Sequence, residues 1–482
     1  MLVRTPRHNP AMTVPFTFVR STRWALALAA QWSGAIVSAA VSIALLLWLA
    51  RTMDAREFVR YSSTLSGALV ALALIEGGWN ALIYREHAGR HDVHSLPGLR
   101  AAALAHAFSV SLLSMCALWV VTRELRLALG AALCMLTVAL MNHRSVLLRS
   151  QRRFATEAGW QVLGRMLSAV VIIAAVLQLG GDADWVFLAW ACALGIILIA
   201  SVRQWGTALS FAEAKRWYPQ AIMLLIADAC FMALLKGDLV WLSTSAQWHF
   251  PVAPESVLKN YAVCVRWVEG ALMLIAPLTN VVVARLRADR IAESRRPFTE
   301  PTESKYIVGA TLGAPDVSTI AVPRASATGV TPTIHSSGLI WADWSKHTAR
   351  LVLIGAAACA AFGALCWVAA WVGGEAVVTA AFGTPYVGAG AWLPVVALPL
   401  PMACANLVMF QAVLAVARGK DLARAVAVGL LSFVVAAILL LFMNYGAVGM
   451  AVAAAVGQSV LLFCLIRIFN RQRPAPNGPQ QF

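Results

Sequence analysis

Apolar residues run along this chain in long blocks separated by short polar stretches. Twelve blocks stand out: 24–50, 61–84, 101–121, 127–143, 158–179, 185–202, 221–243, 260–283, 351–372, 390–416, 425–444 and 447–466. About 20 mostly apolar residues are what a helix needs to cross the hydrocarbon core of a bilayer. Lipid offers no hydrogen-bond partners, so a span is either a helix or part of a closed barrel. Barrel strands alternate in polarity over about 10 residues. These blocks are about twice that length and apolar all round, so the pattern predicts an all-α polytopic membrane protein with about 12 transmembrane helices. The first block is too long for the roughly 7–15-residue core of a cleaved signal peptide and reads as a retained anchor.

Composition sharpens this. Of 482 residues 60% are apolar and only 12% charged, against about 25% charged in an ordinary soluble domain. A soluble multidomain enzyme, a disordered chain and a nucleic-acid binder are all excluded. The net charge of +16 is a matter of sidedness. With the N-terminus in the cytoplasm, 29 Lys and Arg fall in cytoplasmic segments, 6 outside and 3 within spans. Counting acids as well, the cytoplasmic side carries +18, the outside −1 and the membrane interior −1. The positive-inside rule then places both termini in the cytoplasm of a multi-pass protein. Arg144, Arg149, Arg152 and Arg153 form part of that basic face.

Candidate chemistry is sparse. All nine cysteines fall in spans and none forms a CxxC pair. The expectation is therefore no disulfide framework, no metal site and no cofactor. The two longest outside loops hold one acid each, Glu255 and Glu375. That is too little for a polysaccharide polymerase, ligase or membrane glycosyltransferase, so the chain reads as a transporter and not an enzyme.

Ionisable residues inside spans are costly and tend to mark a substrate path or a buried partner. Seven occur: Glu76, Arg165, Asp228, Lys236, Asp238, Arg266 and Glu269. Glu76 and Arg165 each lie roughly 10–12 Å from the cytoplasmic end of their span, at 1.5 Å rise per residue. They are candidates for a substrate contact with a counter-ion, or for a structural pair joining the second and fifth spans. Lys236 and Asp238 point different ways near the outer end of the seventh span, where snorkelling accounts for Lys236. Asp228 faces either the lumen or a neighbouring helix. Arg266 and Glu269 are three apart and can pair with each other. Pro277, Pro399 and Pro401 are expected to break their helices locally.

Two short patterns recur six spans apart. Leu167-Ser168 with Val170-Val171 in the fifth span matches Leu431-Ser432 with Val434-Val435 in the eleventh, and Arg60-Tyr61 matches Asn260-Tyr261. Such parallel repeats occur in transporters, with the substrate path between the halves. The expected organisation is a cytoplasmic segment 1–23, a six-helix bundle 24–220, the first two helices of a second bundle 221–283, a cytoplasmic loop 284–350 with a disordered insert at 297–338, the remaining four helices 351–468, and a cytoplasmic tail 469–482.

Several stretches resemble bacterial polysaccharide (O-antigen and exopolysaccharide) flippases of the multidrug/oligosaccharidyl-lipid/polysaccharide exporter superfamily. They are Leu47-Trp48-Leu49-Ala50-Arg51, Ala55 to Tyr61, Ser150-Gln151-Arg152-Arg153-Phe154, Lys236-Gly237-Asp238 with Tyr261, Ala381-Phe382-Gly383-Thr384-Pro385-Tyr386, and Gly446-Ala447-Val448-Gly449. The resemblance implies two six-helix bundles around a central cavity in the bacterial inner membrane. It also implies translocation of an undecaprenyl-pyrophosphate-linked oligosaccharide from the inner to the outer leaflet for surface or exopolysaccharide biosynthesis, by alternating access. Expected partners are that lipid-linked substrate, membrane lipids, a coupling H+ or Na+, and polysaccharide-assembly proteins, with no nucleic acid. The alternative is an ion-coupled multidrug or small-molecule exporter on the same fold. The intramembrane sum of −1 counts against an anionic cargo.

Overall fold

The computed structural model describes residues 16–88, 97–151, 153–201, 211–244, 255–275, 346–416 and 419–471. The insert 297–338, Arg152, Pro277 and the tail from 472 lie outside them. The described residues form fourteen α-helices and one short 3-10 turn, with no strand among them. In chain order the helices are α1 (Phe16–Thr52), α2 (Ala55–Glu76), α3 (Trp79–Ala88), α4 (Pro97–Thr122), α5 (Leu125–Ser150), α6 (Phe154–Leu179), α7 (Ala183–Ser201), α8 (Phe211–Thr244), α9 (Glu255–Met273), α10 (Lys346–Phe382), α11 (Ala389–Val396), α12 (Leu400–Val416), α13 (Gly419–Phe442) and α14 (Gly446–Arg471). The 3-10 turn, Thr384–Tyr386, sits between α10 and α11.

Among the described residues, nine helices are long and apolar enough to cross a membrane, and α11 with α12 forms a tenth such span bent by 44°. Helices α8 and α9 complete the expected twelve. They are less apolar because they carry Asp228, Lys236, Asp238, Arg266 and Glu269. The outward surface confirms the solvent. On α13, Val428, Leu431, Val435, Leu439 and Phe442 are exposed at steps of three and four, a continuous apolar face that only lipid would cover.

Two boundaries differ from the sequence expectation. The second span is not one helix. It stops at Glu76, and Gly77 and Gly78 take left-handed backbone with φ of 58° and 69°, a region that favours glycine. A side chain at Gly78 would strike the α8 backbone at Leu224 and Leu225, so the break lets α8 cross at close range. The ninth span continues as helix through Gly373 and Gly374 to Phe382, and the loop expected at 373–389 shrinks to the 3-10 turn. Gly374 there lies against α11, where a side chain would meet the Gly390 carbonyl and Leu393. Pro399 lies in the expected break before α12, where it has no N–H to offer the ladder.

Helices α1, α2 and α4 to α7 pack against one another, as do α10 and α12 to α14. Between these groups runs α8, touching α2 and α4 on one side and α13 and α14 on the other. Helix α9 touches α2 on one side and α11 on the other. The charged helices therefore lie at the centre of the molecule.

Candidate functional site

Glu269, on α9, is the hub of the central cluster. Lys236 Nζ of α8 donates to its Oε1 at 2.6 Å and Arg266 Nη1 donates to its Oε2 at 2.5 Å. The pairing of Arg266 with Glu269 follows the three-residue spacing read from the sequence. Lys236 departs from expectation. It does not snorkel but is buried at 7% exposure, because α8 turns that face onto α9, where Glu269 is the partner within reach. Arg266 reaches further, donating from Nη2 to Ser66 Oγ at 2.8 Å and to the Ser62 carbonyl on α2. Asp238 points elsewhere, as its two-residue offset requires, and accepts from the Tyr261 hydroxyl at 2.7 Å.

Beside this cluster a cavity of about 100 Å³ opens between α1, α2, α6, α7 and α9, lined in part by Tyr61, Arg165, Ser168, Trp190, Arg266 and Glu269. Arg165 lies over the Trp190 ring, 5.7 Å from its centroid. Among the described residues it has no carboxylate partner. Glu269 also borders a smaller cavity of about 30 Å³ with Asp238, Pro399 and Gln458, so it separates the two spaces.

The pairing of Glu76 with Arg165 considered from the sequence is not formed. Because α2 ends at Glu76, that carboxylate meets α5 and accepts from Asn142 Nδ2 at 2.6 Å. Around the break, His143 of α5 bonds Asn80. His106 of α4 lies 2.9 Å from the Leu74 carbonyl by its Nε2 and 2.5 Å from the Tyr218 hydroxyl by its Nδ1. A carbonyl only accepts, so Nε2 carries the proton and Nδ1 takes the tyrosine's. His106 thus serves a carbonyl that a continuous helix would have bonded itself. Asp228 has no hydrogen-bond or ion-pair partner among the described residues. Sequence reasoning passed over His106, His143 and Tyr218. The available signal was the Gly77-Gly78 pair inside an apolar block.

The two ends of the bundle differ. At one end Arg51, closing α1, donates from Nη2 to the carbonyls of Ala380 and Ala381 at 2.8 and 2.9 Å. The Tyr386 hydroxyl donates to the Ala50 carbonyl at 3.0 Å, and Phe58 of α2 meets the Tyr386 ring edge-on at 5.9 Å. Two stretches that carry the family resemblance, some 330 residues apart, so form one latch. At the other end Glu157 is buried and held by Gln31, Gln161 and Arg149, the last at 3.3 Å. Arg144 and Arg153 line an open pocket there, and Arg152 lies outside the described residues. No group of three or more His, Cys, Asp or Glu able to hold a metal occurs among the described residues.

This arrangement of helices has been seen before. A crystal structure described as MATE in complex with MaD3S superposes with TM-score 0.61 at 10% identity, covering 93% of this chain and 94% of that one. The chain has the fold of the MATE transporters. An outward-facing multidrug resistance MATE family transporter of the MOP superfamily gives TM-score 0.60 at 11% identity over 92% of this chain and 96% of that one. A point mutant of the Vibrio cholerae MATE transporter VcmN gives 0.59 at 12% identity over 94% and 97%. No protein-family model matches the sequence, and no curated protein does.

Proposed function

We propose that this chain is an alternating-access membrane exporter whose cargo carries an acidic group. The observation that carries the reading is Arg165, a cation in the central cavity without a carboxylate partner among the described residues. The intramembrane sum of −1 is the wrong quantity for judging cargo, because the charges are segregated. The cavity is lined by Arg165 and Arg266 against Glu269 alone, a local excess of positive charge that attracts an anion. Glu76 and Asp228 do not line it. A cavity of about 100 Å³ holds only a few waters, each needing about 30 Å³. Cargo therefore enters when the helices part, and the latch at Arg51 and Tyr386 describes a state closed at that end.

The lipid-linked oligosaccharide is the cargo that joins the sequence resemblance to a positive cavity: its pyrophosphate would sit between Arg165 and Arg266. A second reading, an ion-coupled multidrug or small-molecule exporter, is supported by the multidrug resistance transporter among the similar structures. Glu76 and Asp228, away from the cavity, are then available to a coupling H+ or Na+. Proteoliposomes of the full chain separate the two. With a fluorescent polyprenyl-phosphate probe, Arg165→Gln is expected to lower the translocation rate at least about tenfold, the effect of some 1.4 kcal/mol, and Arg165→Lys to recover part of it. Equal rates for wild type and Arg165→Gln would overturn the acidic-cargo reading, and chain-dependent export of a cationic dye would establish the second.

A further inference from the structure

The end of the molecule opposite the latch holds an opening separate from the central cavity. It is an open pocket of about 630 Å³ between the end of α5, the first turns of α6 and the end of α7. Arg144 and Arg153 line it together with Gln151 and Thr156, and no Asp or Glu is among the described residues that line it. The nearest acid on these helices, Glu157, is 1% exposed and engaged by Gln31, Gln161 and Arg149. It is held beneath the surface and does not line the pocket.

Apart from Ser201 the remaining wall is apolar, and its α6 side faces outward. Trp160 and Leu163 form it, and Leu163 is exposed. Further along α6, Met166, Val170 and Leu177 are exposed as well. Steps of three, four and seven residues keep these positions on one helix face. The stripe starts beside the pocket and continues along α6 almost to its far end at Leu179; a lipid lying against the near part, Leu163 to Val170, would bring its headgroup level with the two arginines.

We propose that this pocket binds a membrane lipid with an anionic phosphate headgroup, Arg144 and Arg153 engaging the phosphate and the lipid chain lying along Leu163, Met166 and Val170 of α6. Guanidinium groups match phosphate oxygens in paired, charge-assisted hydrogen bonds. A soluble anion would use the arginines and leave the apolar stripe idle, whereas a lipid uses both. The inference goes beyond the transport reading and holds whatever the cargo is.

The test uses the purified full chain in detergent, titrated with phosphatidylglycerol, phosphatidylcholine or inorganic phosphate, with bound lipid read by native mass spectrometry. Phosphatidylglycerol is expected to half-saturate at a concentration about tenfold below phosphatidylcholine. Arg153→Gln is expected to weaken it roughly five- to tenfold, in keeping with about 1 kcal/mol per basic residue at a membrane surface. Leu163→Gln should weaken it too, and excess inorganic phosphate should fail to displace it. Arg467→Gln, an exposed arginine near the end of α14, should change nothing. Both Arg153 and Leu163 are exposed, so their variants are expected to fold. Phosphatidylglycerol binding unchanged in both variants, equal binding of phosphatidylcholine, or displacement by inorganic phosphate would each overturn the proposal.

Discussion

Glu269 accepts from one cation on α8 and another on its own helix, so its removal strands both. Replacing one member of a buried ion network leaves charge without compensation and costs about 3–5 kcal/mol. Glu269→Gln is therefore expected to lower the unfolding free energy of the detergent-solubilised protein by about 3 kcal/mol. The triple variant Lys236→Met, Arg266→Met, Glu269→Leu should regain most of that loss, because matched apolar groups often replace a buried ionic cluster at little cost. A single variant as stable as wild type would show that water reaches the cluster. Half of this arrangement is legible in the sequence. Arg266 and Glu269 lie one turn apart on one helix, and local geometry alone lets them meet. Lys236 is a different matter, since its partner depends on how α8 is rotated about its axis. The same holds for Arg165, which the sequence offers a partner at similar depth in Glu76. That carboxylate is spent on Asn142 because the helix breaks beneath it.

At the scale of elements, breaks and junctions carry the information. The break at Gly77-Gly78 redirects Glu76, frees the Leu74 carbonyl for His106 and admits α8 against α2. None of this is visible in hydropathy, where residues 61–84 form one apolar block. The α2 entry, by contrast, is written locally. Asp54 accepts from the Arg56 N–H at 3.1 Å as an N-cap, and Glu57 stands in the first turn. The latch between α1 and the α10–α11 junction gives a prediction at this scale. Burial pushes the Tyr386 hydroxyl up to about 12, and Asp54 adds to the shift. The ordinary value is about 10. The protonated hydroxyl's contribution is thus complete below about pH 10 and lost only as pH rises through about 12. Tyr386→Phe removes one hydrogen bond, worth about 1 kcal/mol, and should raise the population open at this end roughly fivefold. Spin-label distances between α1 and α10 would measure it, with the wild-type distribution unchanged between about pH 6 and 9. A pH-dependent wild-type distribution would mean that another group holds the end shut.

For the whole molecule, the uneven charge is the most readable feature and the least specific. The end bearing the latch is near neutral because its charges cancel locally. Arg60 pairs with Glu57 and Glu124, and Arg126 with Asp184 while stacking on Trp185 at 3.8 Å. The opposite end keeps its excess of arginine. If the proposed orientation holds, a membrane-impermeant maleimide applied to intact cells should label Arg56→Cys and leave Arg153→Cys unlabelled, with the reverse in inverted vesicles. The opposite pattern would invert the topology. The amino-acid sequence by itself determined that this is a helical membrane protein, roughly where its spans lie and which end is basic. Apolar length and charge sidedness act locally along the chain and need no knowledge of neighbours. Only the tertiary structure decided which intramembrane charges are neutralised, that Arg165 faces a cavity while Glu76 does not, and that residues near 50 and near 385 close one end together. Those outcomes depend on helix rotation, on a two-glycine break and on contacts between segments hundreds of residues apart, and an apolar pattern carries no record of them.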